Sequence, residues 1–294
     1  MAGPDEQAAE DRMLEQSAKQ WVLGSAIGRL LMSGRDALDL VRAALRTPES
    51  VGTIANDQLA TLLVTRLPQA GKVFIDVGAH IGSIITAVTQ RDASIRVVAV
   101  EAIPDKAERL RRKFPNVPVH ACAVGDQEGE VSFFIHTRQS GYSSLGRPSE
   151  QAHHGDGRDE GIQEVRVPIR RLDDLVAPEG IDVIKIDVEG AELGVLRGSR
   201  RLIGASRPVI MFESGPGDAE GLGFTKPGMW QFFADEGYTL HVPNRVPHND
   251  EGLSLEGFVE SHTYPRRTTN YFAIPAERRL EIRDRARALL NIVA

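Results

Sequence analysis

Cysteine is nearly absent from these 294 residues: Cys122 stands alone, inside an apolar run. One thiol excludes an intramolecular disulfide and any zinc site built from several cysteines. It is expected to be a small core residue in a chain suited to a reducing cytoplasm. Long apolar runs are missing too. None approaches the roughly 20 residues that cross a bilayer, and the first residues are acidic and polar rather than basic and then apolar. A soluble cytoplasmic protein with no signal peptide and no membrane partner is therefore expected. Basic charge is not in excess, since 35 Lys and Arg face 41 Asp and Glu, for a net charge of -6. That excludes the broad basic face that nucleic acid requires. The densest basic run, Glu108-Arg109-Leu110-Arg111-Arg112-Lys113, reads as a solvated helix face. Internal repeats are absent as well.

What is present falls into two textures. Residues 1–66 show helical spacing, with Trp21, Leu23, Ile27, Leu30 and Leu31, then Leu38, Val41 and Leu45, at steps of three and four. Two or three helices are expected, with breaks near Gly34 and Pro48, forming a cap or a homo-oligomer contact. Residues 67–294 alternate strands with helices. Val73–Val77, Arg96–Val100, Val117–Val124, Asp182–Val188 and Pro208–Glu213 read as buried strands. A helix is expected from Ser83, and another that Pro104 opens at its first turn. Strands separated by helices imply right-handed crossovers and a parallel sheet. Glu130–His136 and Val165–Arg171 read instead as an inserted hairpin, joined by a polar loop over 139–164. Tyr238–Val242 and Asn270–Ile274 read as a closing antiparallel pair, followed by an arginine-rich helix over Pro275–Ile292.

Chemistry concentrates at the strand ends. Asp76-Val77-Gly78-Ala79-His80-Ile81-Gly82 joins the first strand to the first helix. Gly78 can let the backbone approach a ligand, and Gly82 can let the helix start tight against the sheet. Glu101 ends the second strand, where an acid can accept from both ribose hydroxyls. Asp126 follows the third strand and can accept from the exocyclic amine of an adenine. The glycines do not make the dinucleotide fingerprint, because His80 and Ser83 stand where glycine is required. Asp76 before the loop suits a cationic methionyl end better than a pyrophosphate, which favours S-adenosylmethionine over NAD.

Three further stretches complete a pattern: Val100-Glu101-Ala102-Ile103-Pro104, then Asp182-Val183-Ile184-Lys185-Ile186-Asp187-Val188-Glu189-Gly190-Ala191-Glu192, then Val195-Leu196-Arg197-Gly198. With the Asp76 segment they resemble the FkbM family of methyltransferases from about residue 72 to about 275. The resemblance implies a Rossmann-like class I methyltransferase fold of α/β class. Its sheet is mostly parallel and seven-stranded with helices on both faces, here preceded by an N-terminal helical extension. It implies S-adenosylmethionine as methyl donor and O-methylation of a sugar or small natural product. By position, Asp76, Gly78 and Gly82 would line the methionine end, Glu101 the ribose and Asp126 the adenine. The family commonly has Asn where His80 stands and Pro where Ala102 stands.

An alcohol acceptor benefits from a base, or from a cation that lowers its pKa. Asp187 and Glu189 follow the fourth strand and Glu213 ends the fifth. Residues 187 and 189 share a side if the strand stays extended that far. Either Asp187 or Glu213 is the base, or Asp187, Glu189 and Glu213 hold a hard cation such as magnesium. Lys185 can simply pair with an acid inside the sheet, and Glu189 can simply be a first-turn helix acid. His241 ends a late strand and can reach the mouth as a base. His80 is close to the cofactor by its place in the motif. The hydroxyls of Tyr142-Ser143-Ser144 can contact cofactor or acceptor, Ser144 being the candidate cofactor contact. His153 and His154 fall in the polar loop. An NAD-dependent sugar-modifying enzyme calls for a Tyr-x-x-x-Lys pair that is absent, and a non-catalytic binding protein for eroded acids, which are intact. A base methyltransferase calls for a basic channel.

Overall fold

The computed structural model describes residues 26–136, 162–215 and 224–292. These fall into two compact units that divide between Ala55 and Asn56. The first carries α1 (Ala26–Arg46) and a 3-10 turn, Pro48–Ser50. α1 runs through Gly34 without a break, so among the described residues only Pro48 interrupts the helical region. A lone glycine costs a helix about 1 kcal/mol against alanine, which a long helix absorbs. Proline removes an N–H and sits at the first position of the following turn. Leu38, Val41 and Leu45 are exposed on α1.

The second unit begins inside α2 (Val51–Arg66), so it takes in part of a helix that the sequence assigns to the extension. Its centre is a seven-stranded sheet. The strands are β1 (Val73–Val77), β2 (Arg96–Glu101) and β3 (Val119–Ala121), with β7 (Ile181–Ile186), β8 (Val209–Glu213), β9 (Tyr238–His241) and β10 (Asn270–Pro275). Their spatial order is β3-β2-β1-β7-β8-β10-β9. The pairings β3-β2, β2-β1, β1-β7 and β7-β8 are parallel, and β10 runs antiparallel to β8 and β9. This is the expected seven-stranded Rossmann-like sheet with its closing antiparallel pair.

Alternation along the strands loads two faces. On one, Ile75, Ile184, Ile210 and Phe212 pack with Leu196, Ile203, Phe233 and Phe258. The helices on that face are α5 (Leu172–Leu175), α6 (Glu192–Arg197), α7 (Arg200–Ser206), α8 (Lys226–Asp235) and α9 (Leu255–Glu260). On the other, Phe74, Val183, Val209 and Phe272 pack with Leu63, Ile85, Leu110 and Ile282. Those residues come from α2, α3 (Ser83–Arg91), α4 (Pro104–Lys113) and α10 (Arg279–Leu289).

One strand departs from expectation. Val117–Val124 is not continuous: β3 ends at Ala121, and β4 (Ala123–Val124) pairs elsewhere. β4 joins β5 (Gly129–His136) and β6 (Ile162–Arg170) in a second sheet of order β4-β6-β5. The inserted hairpin is therefore present, but it brings its own sheet and its own cluster of Ile103, Ala123, Phe133, Val167 and Ile169. Cys122 is the buried residue at which the chain changes sheet.

Candidate functional site

From β1 the chain moves outward to β2 and β3, then returns to β7 on the other side of β1. Where strand order reverses, the connections diverge and leave a crevice beyond the carboxyl ends. A cleft of about 370 Å³ lies there. Its lining includes Gly78, His80, Glu101, Ile103, Lys106, Cys122, Phe133, Lys185, Asp187, Glu189, Thr61 and Asn270.

The loop after β1 is fixed by backbone bonds and by one acid. Gly78 and Ala79 donate to Val100 O at 3.0 and 3.1 Å. His80 N donates to one carboxylate oxygen of Glu101 at 2.8 Å, and Ile103 N to the other at 2.9 Å. Glu101 thus clamps both loops and lines the cleft, and each of its oxygens keeps a second lone pair. Gly78 has φ +79, and a Cβ there would lie 1.8 Å from the Asp187 carbonyl oxygen. The close approach that requires this glycine is to the end of β7. Gly82 has φ +76, and a Cβ would strike Phe114 and Leu110. Its tight contact is with α4 and its end, not with the sheet. His80 holds φ +50, and its buried Nε2 has no hydrogen-bond partner among the described residues. Burial, then the Lys106 ammonium, lowers the His80 pKa, so the imidazole is neutral near pH 7.

Asp76 is fully buried and does not line the cleft. Its register partner on β7 is Lys185, whose Nζ lies 3.2 Å from Asp76 Oδ1 and 3.3 Å from Asp187 Oδ2 and donates to Gly78 O at 2.9 Å. Burial works against that ammonium, but the two carboxylates hold its pKa above the ordinary lysine value. Lys185 therefore pairs with the acids inside the sheet, as one sequence reading allowed. Asp76 acts through it to hold Asp187, rather than lining the methionine end.

The strand-end acids do converge. One carboxylate oxygen from each of Asp187, Glu189 and Glu213 lies within 4.8 Å of the other two. The route differs from the expected extended strand: β7 ends at Ile186, and Glu189 and Gly190 take φ +53 and +99. Helix α6 starts at Glu192, so Glu189 belongs to the turn and not to a helix's first turn. Glu192, fully buried, accepts from Val188 N at 3.2 Å and Gly190 N at 3.1 Å and pins that turn. Burial works to raise Asp187, but Lys185 and a hydrogen bond from Glu213 hold it below the ordinary carboxylate value. Burial and the Asp187 charge push Glu213 up to about 9. Burial, Asp187 and Glu192 push Glu189 up to about 7. Near pH 7 the Asp187–Glu213 pair thus holds one proton, on Glu213.

Other expected residues lie elsewhere. His241 does not reach the cleft. It ends β9 at the far edge of the sheet, where Nδ1 bonds Asp250 Oδ1 and Nε2 bonds Thr239 Oγ1, both at 2.9 Å. Burial, then Arg279, lowers its pKa to about 4. Asp126 is outside the lining too, with a half-exposed side chain 3.9 Å from Arg197. The apolar Ile103, Cys122, Ala123 and Phe133 occupy the adjoining wall. Ser144, with Tyr142, Ser143, His153 and His154, lies outside the described residues. Lys106, Thr61, Asn270 and Phe133 were missed by sequence reasoning. Phe133 could have been found, because an inserted hairpin beside the third strand end must pack an apolar face nearby. Thr61 and Asn270 carry no local signal.

The Methyltransferase FkbM domain family model matches residues 76–240. The AMB antimetabolite synthetase AmbE of Pseudomonas aeruginosa is 31% identical over 162 residues, covering 43% of this chain and 8% of that protein. Methyltransferase 1 of Beauveria bassiana is 24% identical over 141 residues, covering 42% of this chain and 57% of its own. The chain thus spans a small part of one curated relative and just over half of the other. Among solved structures, methyltransferase FkbM from Methylobacillus flagellatus is 18% identical with a TM-score of 0.42, over 69% of this chain and 43% of that one. Precorrin-6y C5,15-methyltransferase from Geobacter metallireducens is 17% identical with a TM-score of 0.35, over 62% and 72%. Among the described residues no helix is long and apolar enough to cross a membrane.

Proposed function

The chain belongs to the FkbM methyltransferase domain family, and on that premise we propose that it methylates a hydroxyl of a small acceptor with S-adenosylmethionine, Asp187 serving as the base. The observation that carries the reading is the placement of Asp187: it lines the cleft with its carboxylate 3.3 Å from the Lys185 ammonium and within 4.8 Å of the Glu213 carboxyl, an arrangement that keeps Asp187 ionised and directs a shared proton toward Glu213.

The cleft residues fit the donor. His80, with its orphaned Nε2, belongs to the loop expected at the methionine end, the free lone pairs of Glu101 suit ribose hydroxyls, and Ile103, Cys122 and Phe133 offer an apolar slot for an adenine. When bound, S-adenosylmethionine supplies an electrophilic methyl group on a sulfonium with a neutral thioether as leaving group. The protein's work is then to position a hydroxyl, exclude water and take a proton. Lys185 holds Asp187 at the cleft, donating to Gly78 O while its ammonium lies 3.2 and 3.3 Å from the Asp76 and Asp187 carboxylates. Asp187 takes the hydroxyl proton, and Glu213 steadies the resulting pair through its hydrogen bond.

A hard cation such as magnesium on Asp187, Glu189 and Glu213 is the second reading, supported by the closeness of the three carboxylates. It requires Glu213 to lose its proton beside the Asp187 carboxylate. Activity that follows added magnesium, and disappears with chelator, would favour it.

Calorimetry with S-adenosylmethionine, S-adenosylhomocysteine and NAD tests the donor. Binding of the sulfur ligands and none of NAD is expected, and Asp187→Asn is expected to keep that affinity while lowering turnover at least 100-fold, the order of a general-base contribution. Failure of both sulfur ligands to bind would remove the reading.

A further inference from the structure

Thr61 and Asn270 line a part of the cleft whose construction the methyl-transfer reading does not use. Asp57, on α2, directs one carboxylate oxygen at a single short segment: Oδ1 accepts from Thr268 Oγ1 at 2.7 Å, Thr269 N at 2.9 Å and Asn270 Nδ2 at 3.3 Å. The same Asn270 amide nitrogen donates to Thr269 Oγ1 at 3.0 Å. A carboxylate oxygen can only accept, so the amide must turn its NH2 toward Asp57 and its Oδ1 away. Both amide hydrogens are spent, and no donor reaches Oδ1 among the described residues. Asn270 lines the cleft and is the register partner of Glu213 across β8 and β10. One helical turn from Asp57, Thr61 lines the same cleft, and its hydroxyl donates to Asp57 O at 3.2 Å. Its oxygen, too, is left to accept.

Resting on the methyltransferase reading, we propose that Asn270 Oδ1 and Thr61 Oγ1 form a subsite for a second hydroxyl of the acceptor, so that the enzyme selects neutral polyols over single alcohols and over anions. The wall offers hydrogen-bond acceptors only. A ligand that satisfies it must bring donors, and an alcohol with one hydroxyl spends its only donor on Asp187. A carboxylate group brings no donor of its own to Asn270, and it adds negative charge to a cleft that Asp187 and Glu189 already line. Lys185 gives it little relief, since the Asp76 and Asp187 carboxylates at 3.2 and 3.3 Å already offset that ammonium. The precision comes from Asp57, a positioning residue that fixes which end of the Asn270 amide faces the acceptor.

The test is methyl transfer from labelled S-adenosylmethionine to four probes: myo-inositol, methyl α-D-glucopyranoside, D-glucuronate and cyclohexanol. Affinity for S-adenosylhomocysteine is measured on the same samples. Expected is a kcat/KM for a neutral polyol at least tenfold above cyclohexanol and glucuronate. Asn270→Ala and, independently, Thr61→Val are expected to raise the polyol KM at least fivefold, with S-adenosylhomocysteine affinity within twofold of the parent. Thr61→Val keeps the side-chain shape and loses only a local helix bond, so it reports even if Asn270→Ala folds poorly. Equal transfer to cyclohexanol, preference for glucuronate, unchanged KM in both variants, or no transfer to any probe by a protein that binds S-adenosylhomocysteine would overturn the subsite. Loss of S-adenosylhomocysteine binding in the parent protein would instead strike the methyltransferase reading beneath it.

Discussion

At the residue scale, the site depends on a buried cation. Lys185 touches Asp76, Asp187 and the Gly78 carbonyl, so one side chain ties β1, β7 and the first loop together. Removing it leaves Asp76 as a fully buried carboxylate with no counter-charge. Lys185→Met should therefore destabilise the fold by about 3–5 kcal/mol, the cost of breaking a buried pair from one side. The double variant with Asp76→Asn should recover part of that loss, since the amide carries no charge. Denaturant melts of the single and double variants decide the matter, and equal stability of the two would show that Asp76 is indifferent to its partner.

At the scale of elements, the tightest joint is between the loop after β1 and the end of β7. A Cβ on Gly78 would sit 1.8 Å from the Asp187 carbonyl oxygen, at a φ that non-glycine residues avoid. Strained dihedral and overpacking each cost about 1–3 kcal/mol, so Gly78→Ala should carry both. Gly71→Ala is the control, with φ +72 but no atom within 4 Å of its Cβ, and should carry the dihedral cost alone. Similar melting temperatures for the two variants would refute the steric part. The elements themselves were largely legible in the sequence. The buried runs β1, β2, β7 and β8 are too apolar to be anything but doubly covered strands, and acids at their ends marked the crevice. Spatial order was not legible, and His241 shows why. It ends a strand as Asp187 nearly does, but β9 lies at the sheet's edge, and nothing local encodes a place in the order. The break at Cys122 was hidden for a related reason, because an apolar run looks the same whether it feeds one sheet or two. Thr61 and Asn270 stand 209 residues apart in sequence, and each bonds Asp57.

For the molecule as a whole, the acids impose a pH-dependent cost. Glu213 has a pKa near 4.5 when exposed and about 9 in the fold. The folded state binds the extra proton between those values, so stability contributed below pH 4.5 is lost as pH rises toward 9. Glu189 and Glu192, both pushed up to about 7, act in the same direction over a narrower window. Glu213→Gln keeps a donor for Asp187 and removes the titration. Its melting temperature should exceed the parent's at pH 8, at roughly 2–4 °C per kcal/mol for a protein of this size. The advantage should shrink toward pH 5. A gain independent of pH would show that Glu213 is not the proton's holder.

The order β7-β8-β10-β9 also has a meaning for synthesis. The last strand to be made is not at the rim but between two strands made earlier. A chain growing from the ribosome can lay β7 against β8, yet the far side of β8 stays unpaired until residues 270–275 have emerged. Throughout that interval the nascent protein presents an open row of backbone donors and acceptors beside Met211 and Phe212, which other growing chains can pair with. Crowded polysomes, rather than heat, are where this architecture is most exposed to aggregation, and slower translation across the stretch between β8 and β10 would lengthen the danger.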